Sequence, residues 1–149
     1  MNSRINQSII GGIVGTAVMS FVMYFEYLIG LPKINPGETM SSVMKTPIVV
    51  GWIMIFIIGI FYAFFYTYVF ARLTTVINSN FYRGVLFGFA LAIFVFLIQI
   101  VTQSLLTVSE PEGSKLLFFV GNMISHLFYG ICIGLIVQVH VLESAYSEL

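Results

Sequence analysis

Long apolar stretches alternate along the chain with short polar ones. About residues 9–30, 48–70, 82–108 and 116–142 are almost free of charge, and each is long enough for a helix to cross a bilayer, which takes about 20 apolar residues. Between the first two stretches, Asn35-Pro36-Gly37-Glu38 offers a capping side chain, a proline for the first helical position and an acid for the third, so a short helix is predicted over about residues 36–45. Met40, Val43 and Met44 share one face of it, opposite Thr39, Ser41, Ser42 and Lys45. That pattern fits a helix lying in the membrane interface, or one tucked against the mouth of the bundle as a lid. Short connections between four spans predict an all-α membrane protein: an antiparallel four-helix bundle with this interfacial helix between spans one and two, in a single integral domain over residues 1–149.

Small residues recur four apart within every span. Gly11 and Gly15, the row Gly12, Thr16 and Ser20, then Gly59 with Ala63, Gly84 with Gly88 and Ala92, and Gly130 with Gly134 are expected to be packing faces where helix backbones approach closely. The last span adds polarity. Asn122, Ser125, His126 and Tyr129 fall at i, i+3, i+4 and i+7, one face of a helix, and a polar face inside lipid must meet protein or water. Glu26 lies close to the packing face near the end of the first span, and Gln99, Thr102 and Gln103 share the face of Gly88 and Ala92. At about 1.5 Å rise per residue, His126 lies about 15 Å, Gln99 and Gln103 about 8 to 14 Å, and Glu26 about 6 Å from the side of the membrane opposite the termini. Glu26, Gln99, Thr102, Gln103, Asn122, Ser125, His126 and Tyr129 therefore define an expected polar intramembrane pocket in one half of the bilayer, with Glu26 and His126 its ionisable pair.

Aromatic residues gather near the ends of the second span. Trp52 stands at one end and Tyr66, Tyr68 and Phe70 at the other, where rings are expected to stay in the acyl region while polar tips reach headgroups. A polar loop from Arg72 to Arg83 follows. None of the spans carries the interruption that marks the binding helices of secondary transporters.

Composition narrows the class. With 59% hydrophobic and 8% charged residues and a mean hydropathy of +1.03, the chain is unlike a soluble domain of its length. Six basic residues balance six acidic ones, so there is no electrostatic footprint for nucleic acid and no polybasic run for anionic lipid. Arg4, Arg72 and Arg83 on the terminal side match Lys33, Lys45 and Lys115 on the other, a tie under the positive-inside rule; termini on the cytoplasmic side are the expectation. The first apolar run is too long for a secretory signal core and lacks a small-x-small cleavage pattern, so it is read as a retained anchor. The single cysteine, Cys132, lies inside the last run and is expected to pack as a small hydrophobe.

No nucleophile and base pair, metal-ligand spacing or phosphate-binding glycine loop is present, and Ser125 beside His126 is not such a pair by adjacency alone. The expectation is a non-enzymatic membrane protein without a cofactor, surrounded by lipid and acting as a homo-oligomer or as an accessory subunit of a larger complex. A small carrier or channel for a solute or ion, its pocket lined by Glu26, Gln99, Gln103, Asn122 and His126, stands beside it. So does a redox subunit with haem or quinone near His126. A haem there would need a second subunit or a methionine such as Met19, Met23 or Met54, because the only other histidine, His140, lies about 21 Å further along the same helix.

The phrases Gly30-Leu31-Pro32, Gly51-Trp52-Ile53-Met54-Ile55-Phe56-Ile57-Ile58-Gly59, Arg83-Gly84-Val85-Leu86-Phe87-Gly88 and His126-Leu127-Phe128-Tyr129-Gly130 resemble those of a family of small, uncharacterised four-helix proteins of the bacterial inner membrane. The resemblance covers most of the chain. It implies fold and location, and it implies a second span reading Gly-Trp-x-x-His-Phe in relatives, with Ile55 here at the histidine position. Aligning Gly59 and Ala63 with Gly130 and Gly134 also places Ile55 opposite His126, a weak internal repeat in which both second hairpin members run the same way.

Overall fold

A computed structural model describes residues 2–106 and 114–137. The described chain is all helical. It forms α1 (Asn2–Leu28), α2 (Pro36–Met44), α3 (Ile48–Leu73), α4 (Asn80–Leu106) and α5 (Lys115–Ile136). Four of these, all but α2, are long and apolar enough to cross a membrane, which fits an integral membrane protein. The loop expected before the fourth span lies largely outside the described residues, as does the end of that span, with His140.

Local chemistry sets the boundaries. α1 begins well before the apolar run, at Asn2, and stops at Leu28 rather than running to Gly30. Its end is a Schellman motif: Leu31 N–H donates to the Glu26 carbonyl at 3.0 Å and Gly30 N–H to the Tyr27 carbonyl at 3.2 Å. Gly30 takes a φ of 95°, a left-handed conformation that an L side chain disfavours. α2 opens as its sequence predicts, with the Asn35 side chain accepting from Glu38 N–H at 3.1 Å and Pro36 in the first turn. It closes on Lys45, whose left-handed backbone returns its N–H to the carbonyls of Ser41 and Ser42.

α3 is not regular throughout. It is α-helical over Ile48–Phe65, widens into a π turn over Tyr66–Phe70 and ends in a short α-helical segment, Ala71–Leu73. The uninterrupted second span expected from hydropathy thus carries one extra residue per turn near its end. Tyr66 sits in that turn fully buried, which corrects its expected place at the headgroups. Its ring lies edge-on to Phe87 of α4 at 5.1 Å, and Phe70 does the same at 5.1 Å, so the widened turn directs two aromatic rings at one partner.

Each pair of neighbouring helices has its own contact. α1 uses two faces: Gly12 lies against the backbone of Ile60 and Thr16 against Gly59 of α3, whereas Gly11 and Gly15 lie against Val137 and Tyr129 at and before the end of α5. α4 and α5 meet backbone to backbone. A methyl group on Gly84, Gly88 or Gly130 would strike main-chain atoms of the opposite helix, so these two backbones touch without intervening side chains. α2 docks on the start of α3, with Gly37 beneath the Trp52 ring and Gly51 beneath the Gly37 carbonyl; Trp52 is thereby held by protein. Met19, Met23, Leu91, Tyr129, Ile133 and Val137 are among the side chains that fill the centre. Large apolar side chains such as Phe21, Phe61, Phe94 and Phe128 cover the outside of all four long helices.

Candidate functional site

The polar stripe of α5 is buried along its length: Asn122, Ser125, His126 and Tyr129 are each at most 5% exposed. Its members diverge to different partners. Ser125 Oγ donates to Glu26 Oε2 of α1 at 3.0 Å, and Asn122 Nδ2 donates to the Ala92 carbonyl of α4 at 3.0 Å. Tyr129 donates its hydroxyl hydrogen to the Gly59 carbonyl of α3. His126 turns back on its own helix, its Nδ1–H donating to the Asn122 carbonyl at 2.8 Å, so that ring is fixed by a local bond. One stripe on one helix therefore reaches all three other long helices, because buried polar groups in a helix bundle find acceptors on whichever neighbour lies opposite.

Glu26 is the charged-type residue of this region. It is 3% exposed and sits in the last turn of α1, beside Gly121, where a methyl group would come within 3.1 Å of Oε2 and 3.5 Å of the Ile34 Cδ1 atom. The linker after α1 thus brings Ile34 against the same glycine of α5. Oε2 has the Ser125 bond; Oε1 is buried with no hydrogen-bond partner among the described residues. Gln99 is half-buried, and its Oε1 is likewise buried without a described partner. It stands seven residues beyond Ala92 on α4, roughly 10 Å further along the helix than the contact with Asn122, and its Oε1 is not hydrogen-bonded to the Glu26 and Ser125 pair. Thr102 is half-buried a turn later. Gln103 belongs to α4 by its backbone, and its side chain lies outside the described part.

The structure thus brings Glu26 and Ser125 together, keeps Asn122 and His126 on the adjoining turn, and sends Tyr129 away to α3. Among the described residues, no group of three or more His, Cys, Asp or Glu side chains could hold a metal ion. Cys132 is half-buried and unbridged. The methionines Met19 and Met23 line the core.

A second polar cluster lies at the opposite end of the helices, and sequence reasoning missed it. Arg83, expected where the 72–83 loop meets the third span, is inside the first turn of α4 and 1% exposed. Its Nε donates to the Thr74 carbonyl at 3.1 Å and a terminal nitrogen donates to Asn80 Oδ1 at 3.2 Å. Nearby, Ser8 of α1 and Thr67 of α3 share a buried hydroxyl hydrogen bond at 2.8 Å. The signal was present: Ser8 extends the row of Gly12 and Thr16, Thr67 extends that of Gly59 and Ala63, and Arg83 stands four and eight residues before the buried Phe87 and Leu91. Extending the two small-residue rows by one helical repeat places Ser8 and Thr67 on packing faces, and the same spacing puts Arg83 on the face of Phe87 and Leu91.

Comparison with curated proteins gave no match, and comparison with solved structures gave none either. A family model matches residues 2–146, nearly the whole chain, and the protein belongs to that family, DUF6789, a family of unknown function.

Proposed function

We propose that the protein is a non-enzymatic integral membrane protein of the bacterial inner membrane, working as a homo-oligomer or as an accessory subunit of a larger membrane complex. Its four long helices cross the lipid as an antiparallel bundle, with the termini on the cytoplasmic side and α2 lying in the interface. The order of contacts supports the antiparallel order of α1 with α3 and α5: along α1 from Ser8 to Glu26, the partners on α3 run from Thr67 back to Gly59 and those on α5 from Val137 back to Gly121. Lipid surrounds the apolar exterior. No cofactor and no nucleic acid enter the reading.

The observation that carries it is the commitment of the α5 stripe to other helices. Tyr129, Asn122 and Ser125 spend hydrogen bonds on α3, α4 and α1 in turn, and such bonds in membrane proteins contribute about 0.6 kcal/mol each on average, enough to choose a packing rather than to drive chemistry. Native mass spectrometry of the full chain released from lipid nanodiscs tests the assembly. Several copies, or a copy with another chain, are expected; a lone monomer under the gentlest release would overturn the subunit reading.

A second reading, a small carrier or channel for an ion or solute, is favoured by one specific observation. Glu26 Oε1 and Gln99 Oε1 are buried without described partners, and an unpaired polar atom in an apolar surround is costly unless something else satisfies it.

A further inference from the structure

We propose that Glu26, with Ser125, forms a binding site for one small monovalent cation, a proton or an alkali ion, at the end of α1 beside Gly121. The site is defined by an acceptor with nothing to accept from: Oε2 is engaged by Ser125 at 3.0 Å, whereas Oε1 of the same 3% exposed side chain has no hydrogen-bond partner among the described residues. A carboxyl group away from water needs either a proton or a counter-ion on its second oxygen. Its place in the helix adds to this. Glu26 lies in the last turn of α1, where the negative end of the helix dipole favours positive charge and disfavours an uncompensated anion.

Among the described residues, no charged side chain is bonded to Oε1, and the neighbouring titratable residues of α1 itself, Tyr24 and Tyr27, are exposed. α5 presents His126 on the turn beside Ser125, with Nδ1 already donating to the Asn122 carbonyl, and Tyr129, which donates to Gly59. α4 holds no titratable residue after Arg83 and α3 none before Tyr62. The linker carries Lys33, which pairs with Glu38 of α2 at 3.5 Å on the surface; Lys45 follows α2, and Lys115 opens α5. Ile34 of the linker packs against Gly121, next to the carboxyl group, so the surround of Oε1 is apolar and an ion there would depend on the carboxylate for compensation. This inference deepens the carrier reading and rests on its polar pocket.

Infrared difference spectroscopy of the full chain in lipid tests it. In wild type, the carboxyl band that is absent from Glu26→Gln should change amplitude reversibly when pH is stepped, or at fixed pH when sodium chloride replaces choline chloride. The first response identifies a proton as the ligand and the second an alkali ion. Ser125→Ala, which removes the bond to Oε2 while keeping a small residue, should shift the frequency of the same band; this keeps the assignment secure if the glutamine variant does not fold. A Glu26 band unchanged by pH and by sodium overturns the cation site. Repeating the measurement in deuterium oxide separates the two readings: a band that shifts there but ignores both cations leaves a solvent-reached pocket without a cation site, and a band that does not shift removes the pocket as well.

Discussion

Tyr129 of α5 donates its hydroxyl hydrogen to the Gly59 carbonyl of α3, and on the way its ring lies against Gly15 of α1, so one side chain connects three helices. Removing only the hydroxyl, in Tyr129→Phe, keeps the ring and loses the bond. The Gly59 carbonyl keeps its place in the helical ladder, so the cost should be about 0.5–1.5 kcal/mol, the range for one net hydrogen bond. The thermal midpoint in detergent should fall measurably while the far-UV circular dichroism of the folded state is unchanged.

Gly130→Ala should be far more damaging than its size suggests. The added methyl would meet the Gly84 carbonyl and the backbone of Gly88, and main chain inside a helix has no rotamer by which to retreat. Overpacking costs about 1–3 kcal/mol where side chains can adjust, and the effect here should reach or pass the top of that range. Size-exclusion profiles and thermal midpoints compared with those of Cys132→Ala, a half-buried neighbour, check it.

At Gly30 the opposite logic applies. No atom lies within 4 Å of where its Cβ would be, yet φ is 95°. Gly30→Ala should therefore cost about 1–2 kcal/mol through backbone conformation alone. Its signature should be faster amide exchange at Gly30 and Leu31, which close the end of α1, with the centre of the bundle untouched.

How far the sequence carries the account depends on which kind of signal is asked for. Hydropathy marks the four long helices, and the cap at Asn35 marks α2, because both are local properties of composition and of side chains near their own backbone. The packing glycines are legible too, since spacing by four puts them on one face whatever the partner is. What the sequence does not contain is the identity of that partner: nothing in the spacing of Gly11 and Gly12 says that one faces α5 and the other α3. Tyr129 and Ser125 share a stripe yet bond to different helices for the same reason. Arg83 and Tyr66 are misread because hydropathy and aromatic rules place them by distance from a span end, whereas the π turn at Tyr66–Phe70 and the approach of α4 draw both inside.

Arg83→Met should destabilise the end where α3 and α4 meet. The change leaves Asn80 Oδ1 without its Arg83 donor and the Thr74 carbonyl with only the Ile77 N–H; hydrogen bonds to charged groups contribute about 1.5–3 kcal/mol. Arg83→Lys should recover only part of it, because an ammonium group does not reproduce the planar fork. Urea- or detergent-induced unfolding of the three proteins gives the order wild type, lysine variant, methionine variant.

The most direct test of the central claim, that the α5 stripe faces helices rather than an aqueous path, is the reactivity of a single cysteine at Ser125 toward a membrane-impermeant maleimide. Ser125→Cys and Ser114→Cys, each in a Cys132→Ala background and each in sealed lipid vesicles open to both sides in turn, give a matched pair: Ser125 is fully buried and Ser114 exposed. A packed bundle predicts that the cysteine at 114 reacts from one side and the cysteine at 125 from neither. Comparable reaction rates at the two positions would contradict it.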